Sequence, residues 1–183
     1  ALNQRIDDVW NDKNFQKQAN HGDRLIGNVT QEFRIDKDTV QSSGFLQFLA
    51  EAVKQWILAT NKKTITTFEA LDVWTVRQFE GEYNPTHWHS GHISGVGYLK
   101  VPTEMGSTVQ SNKATNRNGC IDFIYGNRTF LSPSVVTVRP KIGDFYLFPN
   151  YLMHTVYPFS GDGERRSISF NAKIDDEIYH DFG

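Results

Sequence analysis

From Thr64 onward the chain is divided into short runs rich in Val, Ile, Thr, Phe and Tyr, which are separated by Gly, Pro and Asn. Short strands at this spacing are typical of an all-β sandwich or barrel. Aromatic residues make up 13% of the sequence, and such bulky, rigid side chains suit the space between two sheets. The pattern predicts strands near residues 66–79, 92–101, 120–125, 134–139, 143–148, 152–157 and 165–173.

The first third of the chain has a different, largely helical pattern. Ile6, Val9 and Trp10 recur at helical spacing and predict a short amphipathic helix, whereas residues 28–35 are predicted to form a strand. The clearest helix is predicted over residues 44–60, where one apolar stripe contains Phe45, Leu49, Ala52, Val53 and Trp56. We expect this helix to pack on a sheet. Residues 1–63 would then form a helical layer and residues 64–183 the β portion.

The length and charge of the chain limit the classes of partner. A chain of 183 residues fits one domain better than two, so we expect residues 1–183 to form a single domain. The net charge of −2 and the pI near 6.3 offer no basic surface for nucleic acid or an anionic membrane. We also expect no membrane span and no signal peptide. The single Cys120 excludes an internal disulfide and a cysteine-based zinc site, and a cytoplasmic location is expected.

One long segment between the predicted strands carries no periodic pattern. Residues 106–119 (GSTVQSNKATNRNG) are polar and aperiodic, which predicts a surface loop. We interpret this loop as a plain insertion, with a lid over a site as the alternative.

Three of the six histidines, His87, His89 and His92, fall within six positions. Residues two apart on a strand point to the same side, so His87 and His89 can reach one metal ion. His92 follows Ser90-Gly91, where a strand can bend, and the pattern does not set its direction. A turn-prone Asn-Pro precedes the H-x-H pair, and we interpret the pair as a candidate metal site.

Another candidate ligand follows a predicted buried strand. A Gly-Asp turn opens the apolar run 145–148, and Pro-Asn closes it shortly before His154. Double-stranded β-helix metalloproteins use the spacing G-D-x4-P-x4-H to bring a distal histidine to the first pair. His154 lies 65 residues beyond His89, which suits such a barrel.

The last predicted strand has two chemically different faces. Arg165 and Ser167 share one face, whereas Arg166, Ile168 and Phe170 share the other. If the apolar residues pack outward against the helical layer, Arg165 and Ser167 point into the barrel. A guanidinium in a barrel interior is costly unless it meets an anion, and its planar fork suits a carboxylate. The alternative places Arg165 on the surface, as one of two solvated arginines.

These segments together resemble the 2-oxoglutarate/Fe(II) oxygenase superfamily, and specifically its small prolyl-hydroxylase-like members from bacteria and phages. The resemblance covers roughly residues 74–173. It is carried by F-E-G-E-Y-N-P-T-H-W-H, S-G-V-G-Y-L, G-D-F-Y-L-F-P and His154-x10-Arg165-x-Ser167. Each motif is weak alone, but their order and spacing together are specific. A phage-encoded member would act in the host cytoplasm.

The resemblance implies a jelly-roll barrel, that is, a cupin-like double-stranded β-helix with helices packed on one sheet and iron between the two sheets. It implies that His154 is the distal iron ligand and that Arg165 and Ser167 bind the far carboxylate of 2-oxoglutarate. Tyr98 matches a tyrosine that helps to hold this carboxylate, with a plain core tyrosine as the alternative. Arg166, on the opposite face, is expected to be dispensable for the binding of 2-oxoglutarate and Fe(II). The implied cofactors are Fe(II), 2-oxoglutarate as cosubstrate and O₂, with ascorbate as a further candidate.

One position departs from the pattern of the family. The usual His-x-Asp or His-x-Glu gives two histidines and one carboxylate, whereas here the acid position holds His89. Three ligand sets remain open: His87, His89 and His154; a set that includes His92; or a set completed by a carboxylate from elsewhere. We favour the first set, because a neutral imidazole is a competent iron ligand.

The reaction implied is oxidative decarboxylation of 2-oxoglutarate to succinate and carbon dioxide, coupled to hydroxylation of an unactivated C–H bond. Proline, free or in a peptide, is the substrate suggested by analogy, and the short chain favours a small molecule or short peptide. Trp74, Arg77, Tyr83 and Trp88 are candidates for the mouth of the site, although each is more readily explained as scaffold. The rivals are a cupin-type three-histidine enzyme that does not use 2-oxoglutarate and a jelly-roll binding module without iron.

Overall fold

The computed structural model describes residues 2–110 and 112–181, apart from the side chains of Phe15 and Arg24. Within these residues, nine strands form two antiparallel sheets, and most helices precede the first long strand. The fold is therefore mainly β, as the spacing of the apolar runs predicted. None of the described helices combines the length and apolar character needed to cross a membrane.

The elements follow the predicted order closely. The strands are β1 (Gln31–Arg34), β2 (Phe68–Gln78), β3 (Asn84–His87), β4 (Ile93–Lys100), β5 (Ile121–Ile124), β6 (Val135–Val138), β7 (Phe145–Pro149), β8 (Met153–Val156) and β9 (Arg165–Ile174). The α-helices are α1 (Leu2–Asn11), α2 (Lys13–Ala19), α3 (Lys37–Ser42), α4 (Phe45–Asn61) and α5 (Asp176–Tyr179), and Gly22–Arg24 forms a 3-10 turn. All seven strands predicted after Thr64 form, whereas β3, α2, α3 and α5 were not predicted.

The larger sheet has the strand order β1-β2-β9-β4-β7, and the smaller sheet has the order β3-β8-β5-β6. In the larger sheet β9 is central and pairs with both β2 and β4, so its side-chain directions are fixed along its whole length. In the smaller sheet β3 is an edge strand and contains Pro85. Proline lacks a backbone N–H and is tolerated at a sheet edge, which explains why a segment that looked like a turn forms a strand.

One hydrophobic core joins the helices to the larger sheet. Leu49 and Val53 of α4 are fully buried and belong to the same cluster as Ile168 and Phe170 of β9. Gly44 precedes α4 in the left-handed conformation, with φ of 76°, and allows a sharp turn after α3. Burial of each large apolar side chain contributes about 1.5–3 kcal/mol, so this core sets which face of β9 turns toward the helices.

Another hydrophobic core joins the two sheets to each other. It contains residues of the larger sheet and of the smaller sheet in one cluster: Val96, Tyr98 and Phe148 from the former, and Ile121, Phe123 and Val156 from the latter. The inner faces of the two sheets therefore pack together at this point, and the functional side chains described below lie beside this packed region.

Candidate active site

His87 and His154 lie opposite each other in the smaller sheet. They are directly paired residues of β3 and β8, so their side chains leave the sheet on the same face. His89 lies just beyond the end of β3, where its amide donates to the carbonyl of Asn150 at 2.9 Å. The carbonyl of His89 accepts a hydrogen bond from the Asn150 side-chain amide at 3.2 Å. These two bonds hold His89 beside the histidine pair although it is outside the strand.

The three imidazole rings are close enough to share one ion. Their ring centroids are 4.2 Å apart for His87 and His154, and 5.0 Å apart for each pair that includes His89. One ring nitrogen from each histidine lies within 4.8 Å of the other two. The sequence prediction that these three residues come together is therefore confirmed.

Backbone carbonyls orient two of these rings. Nδ1 of His87 lies 2.7 Å from the carbonyl oxygen of Pro85, and Nδ1 of His154 lies 2.9 Å from that of Leu152. A carbonyl oxygen only accepts hydrogen bonds, so each Nδ1 carries the proton and donates it. In the neutral ring this leaves the lone pair on Nε2, which is the usual way in which a second contact prepares a histidine for a metal ion.

The environment keeps all three rings neutral near pH 7. Burial, together with the neighbouring His154 and His87, lowers the pKa of His89 to about 3. Burial and the adjacent His87 lower the pKa of His154 to about 4, and burial lowers the pKa of His87. Neutral imidazole is the form that binds a metal ion, and Fe(II) is among the ions that imidazole suits. The donor set therefore fits the metal that the sequence analysis implied.

The other two ligand sets considered from the sequence find no geometric support. The ring of His92 stacks on Tyr179 with centroids 4.0 Å apart, and its Nδ1 lies 3.2 Å from the carbonyl oxygen of Ile174. His92 is thus turned away from the other three histidines. Among the described residues, no carboxylate joins the three-histidine group.

The three histidines line a cavity of about 490 Å³ that contains residues of both sheets. Apolar side chains form one part of its wall: Val76, Val96, Ile121, Phe148 and Val156. The polar part of the wall comes mainly from β9, which contributes Arg165, Ser167, Ser169 and Asn171. These four residues alternate with Arg166, Ile168, Phe170 and Ala172, which face the helices or the core beneath them. The two-faced pattern predicted for this strand is confirmed.

Arg165 is buried in the cavity wall without a charged partner among the described residues. Only 2% of its surface is exposed. Its Nη1 donates to Oε1 of Gln78 at 2.8 Å, its Nη2 donates to the hydroxyl of Tyr98 at 3.2 Å, and its Nε has no hydrogen-bond partner. Because a buried guanidinium is costly without an anion, this arrangement suits the binding of a ligand carboxylate.

Tyr98 supports Arg165 from behind the cavity wall. It is 1% exposed and belongs to the core between the sheets, and it is not among the residues that line the cavity. Burial raises the pKa of its hydroxyl, which therefore stays protonated at neutral pH. The guanidinium carbon of Arg165 also lies 4.9 Å from the centre of the Tyr98 ring. The structure thus gives Tyr98 a direct contact with the arginine, while its contact with a cosubstrate stays a prediction.

Arg166 is buried and ion-paired, and its dispensability for binding of the cosubstrate and Fe(II) stays a prediction. It has no exposed surface, and its guanidinium pairs with Glu164 at 2.6 Å and with Asp7 of α1 at 2.5 Å. It also donates to the backbone carbonyl and the side chain of Asn3, each at 3.1 Å. Arg166 therefore connects α1 to the outer face of β9. Its partners in α1 are more than 150 residues away in the sequence, so a local pattern could not predict this contact.

The four aromatic and basic residues proposed for the mouth divide into two groups. Trp74 and Trp88 line the cavity, and the ring of Trp74 lies 5.5 Å from that of His89. Arg77 instead pairs with Glu164, and Tyr83 does not line the cavity. None of the described residues of the 106–119 loop lines the cavity either, which leaves the plain insertion as the interpretation that the geometry supports.

Several residues in or beside the cavity were not singled out from the sequence. Gln78 holds Arg165 because the two are cross-strand partners of β2 and β9. Glu32 and Asn84 line the cavity from the edge strands β1 and β3. Strand alternation places Glu32 on the face opposite to Phe33, but only the pairing of β1 with β2 shows that this face is covered.

Comparison with known proteins identifies relatives of this arrangement. Residues 72–171, more than half of the 183-residue chain, match the family model described as "Putative 2OG-Fe(II) oxygenase". A sequence comparison with curated proteins finds no significant match.

Solved structures of similar fold share little sequence identity with the chain. The viral collagen prolyl hydroxylase of Paramecium bursaria Chlorella virus-1, in its 2-oxoglutarate complex, has a TM-score of 0.54 at 16% identity, over 85% of this chain and 86% of the viral one. A prolyl-4-hydroxylase of Pseudomonas putida has a TM-score of 0.50 at 16% identity, over 77% and 71%. A 2OG-Fe(II) oxygenase family oxidoreductase of Burkholderia pseudomallei has a TM-score of 0.53 at 13% identity, over 78% and 64%, so the chain spans less than two thirds of that protein. At these identities the likeness concerns the fold.

Proposed function

The chain belongs to the 2-oxoglutarate/Fe(II) oxygenase family, and on this premise we propose that it hydroxylates a C–H bond of proline, either free or in a short peptide. Enzymes of this class require Fe(II), 2-oxoglutarate and O₂. The observation that carries the proposal is that three neutral imidazoles and a buried, unpaired arginine share one cavity. Support for proline comes from the motif resemblance and from two structural neighbours that are named prolyl hydroxylases.

The architecture that we infer is a double-stranded β-helix barrel in one domain, residues 1–183, with the N-terminal helices as a layer on the larger sheet. Two features support it: the core shared by both sheets, and the cluster that joins α4 to β9. A cytoplasmic location, that of the host if the chain is phage-encoded, agrees with the single buried Cys120.

We assign Fe(II) to His87, His89 and His154. Their Nε2 atoms are the natural ligands, because carbonyl groups already hold the Nδ1 protons of His87 and His154. The set contains no anionic ligand, and it therefore leaves the full double charge of the ion to attract an anionic cosubstrate. When bound, Fe(II) activates O₂ for the oxidation of 2-oxoglutarate and of the substrate C–H bond.

We assign the far carboxylate of 2-oxoglutarate to Arg165, with Ser167 as a hydroxyl donor on the same face of β9. Gln78 and Tyr98 hold the guanidinium in place from its other side, so that it is oriented before the cosubstrate arrives. Pre-orientation of this kind lowers the entropy lost on binding. A cupin-type enzyme that does not use 2-oxoglutarate would have no need for this buried arginine.

The remaining wall residues exclude water and shape the cavity. Val96, Ile121, Phe148 and Val156 form an apolar surface beside the histidines. A dry wall strengthens the electrostatic contacts to the cosubstrate and limits side reactions of the activated oxygen. Trp74 and Trp88 complete the wall near His89 and are positioned to contact a flat or cyclic substrate.

Anaerobic spectroscopy tests the cofactor assignment directly. Addition of Fe(II) and 2-oxoglutarate to the protein should produce the weak visible charge-transfer band of the chelate. With air, L-proline or a proline-containing peptide should then gain one oxygen atom as 2-oxoglutarate is converted to succinate, which mass spectrometry detects. Absence of the band would contradict the cofactor site, whereas a band without any oxidised proline product would contradict the substrate alone.

A further inference from the structure

Glu32 is a buried carboxyl group in the wall of the active-site cavity. Only 2% of its surface is exposed, and it lines the same cavity as the three histidines and Arg165. Neither of its side-chain oxygens has a hydrogen-bond partner of good geometry. The side-chain amide of Asn84 approaches the carboxyl and lowers its pKa through a hydrogen bond, but by less than burial raises it.

The state of this carboxyl is unfavourable without a ligand. Burial, reinforced by the nearby charge of Glu82, raises the pKa of Glu32 to about 7. No Lys or Arg among the described residues forms an ion pair with it. A carboxylate in such a place costs free energy unless a cation or several donors meet it, and among the described residues the amide of Asn84 approaches it while no cation neutralises it.

Glu32 stands at a defined distance from the cosubstrate anchor. Glu32 pairs with Val76, Val76 pairs with Ser167, and Ser167 pairs with Tyr98, so these residues form one row across four strands of the larger sheet. Two strand spacings of about 4.8 Å place Glu32 roughly 10 Å from Ser167 along this row. The cavity therefore has a cationic anchor on β9 and an acidic group on the edge strand β1.

The loop before β1 is built closely around this acid. A Cβ atom at Gly27 would lie 2.7 Å from Oε1 of Glu32 and 2.6 Å from the amide nitrogen of Asn84, so a larger residue here would have to displace both side chains. The loop is fastened at Thr30, whose amide and hydroxyl donate to the Glu82 carboxylate at 3.0 and 2.7 Å. The loop that contains Gly27 and Thr30 is therefore held in place against Glu32 and contributes to its burial.

We propose that Glu32 binds a protonated amine of the substrate, and that the substrate therefore carries a free ammonium group. An ammonium ion can donate to both carboxylate oxygens and neutralise the charge at once. A peptide nitrogen is neutral, and the nitrogen of a prolyl residue inside a peptide carries no hydrogen at all. This inference rests on the proposed function, and within that function it favours free proline or another free amine over a prolyl residue inside a peptide chain.

Calorimetry on the anaerobic protein loaded with Fe(II) and 2-oxoglutarate tests the proposal. The probes are L-proline, the other free L-amino acids and short diamines, each paired with its N-acetylated counterpart. At least one free amine should bind, and its acetylated counterpart should bind at least about tenfold more weakly. Glu32→Gln should weaken binding of the free amine by a similar factor and leave the visible band of the chelate unchanged.

Asp72→Asn is the matched control. Asp72 also lines the cavity, but it is already paired with Arg34, so its loss should change amine affinity little. Three results would overturn the inference in a protein that forms the band: no response to any amine in the panel, equal binding of the acetylated compounds, or undiminished amine affinity in Glu32→Gln. Failure of the wild-type protein to form the band would overturn the proposed function, and the inference with it.

Discussion

The Nε2 atoms of His89 and His154 lie 3.1 Å apart, although the proton of His154 is held on the opposite ring nitrogen by the carbonyl of Leu152. Without an ion, either His89 donates its proton to His154 or two lone pairs face each other. A cation between the rings replaces both arrangements with a favourable contact. Occupation of the site should therefore stabilise the folded protein, by an amount that rises with the logarithm of the metal concentration once the site is saturated.

Removal of any one of the three clustered imidazoles should abolish Fe(II) binding. Loss of a residue that merely orients a ligand costs about 10–100-fold in metal affinity, and His87→Ala, His89→Ala and His154→Ala remove ligands themselves. Anaerobic titration of Fe(II) measures the affinity. His92→Ala is the control and should keep its iron, because the ring lies against Tyr179. Iron retained by His89→Ala and lost by His92→Ala would reverse the assignment.

Replacement of Arg165 should weaken the binding of 2-oxoglutarate. A hydrogen bond to a charged group contributes about 1.5–3 kcal/mol, so Arg165→Ala should raise the half-saturating cosubstrate concentration at least about tenfold. Fe(II) affinity measured without cosubstrate should change little, because no proposed ligand is removed. The exposed Arg139 provides a matched control, since Arg139→Ala removes the same charge away from the cavity. Equal effects of the two substitutions would show that only overall charge matters.

Replacement of Arg166 should destabilise the protein without a direct effect on cosubstrate binding. Arg166→Ala breaks a buried ion-pair network with Glu164 and Asp7, for which the cost is about 3 kcal/mol. Urea denaturation measures the loss, and calorimetry at low temperature compares 2-oxoglutarate affinity in the folded protein. An unchanged unfolding midpoint would mean that the contacts of α1 with β9 contribute nothing to stability.

The same network predicts how stability responds to acid. Burial alone would raise the pKa of Glu164, but hydrogen bonds from Arg77 and Arg166 outweigh it and hold the pKa at about 2, below the usual 4.5. The unfolded chain therefore takes up this proton first, and stability that is fully present above about pH 4.5 is lost as the pH falls toward 2. Denaturation at a series of acidic pH values should show this decline, and Glu164→Gln should flatten it. An equally steep decline in the variant would assign the loss to other carboxylates.

Glu32 should produce the opposite trend at higher pH. Its folded pKa of about 7 lies above the usual 4.5, so the folded protein keeps a proton that the unfolded chain releases, and stability falls as the pH rises through this interval. In the absence of substrate, Glu32→Gln should be more stable than the wild type near pH 8, by a value on the order of 3 kcal/mol. The difference should vanish near pH 4.5. A constant difference at both values would mean that Glu32 does not titrate in this range.

The β9 strand shows why part of the site could be predicted from the sequence. Ile168 and Phe170 identify the buried outer face through local alternation alone, and the direction of Arg165 and Ser167 follows from it. The prediction that His87 and His89 come together was correct for a different reason than strand alternation. His89 lies beyond the strand end, and Asn150 supplies the hydrogen bonds that keep it beside His87.

The parts that could not be predicted depend on contacts between distant segments. Glu32 lies in a four-residue edge strand, where an acidic residue ordinarily faces solvent. Its burial comes from the close passage of Gly27 and from the neighbouring β3 strand, neither of which leaves a periodic signal. Arg166 finds its partner Asp7 159 positions away in the sequence. No local sequence pattern predicts such a pairing, so the structural role of Arg166 could be identified only from the folded chain.

The adjacency of two arginines at the start of β9 has a consequence for correct assembly of the sheet. A slip of the strand by one position would still place an arginine in the cavity, since Arg166 would take the place of Arg165. It would also turn Ile168 and Phe170 toward the cavity and away from the helices, where both are now almost completely buried. An arginine in the cavity therefore does not by itself fix the alignment of β9; the penalty for a slip comes from Ile168 and Phe170 and from the lost ion pairs of Arg166 with Glu164 and Asp7.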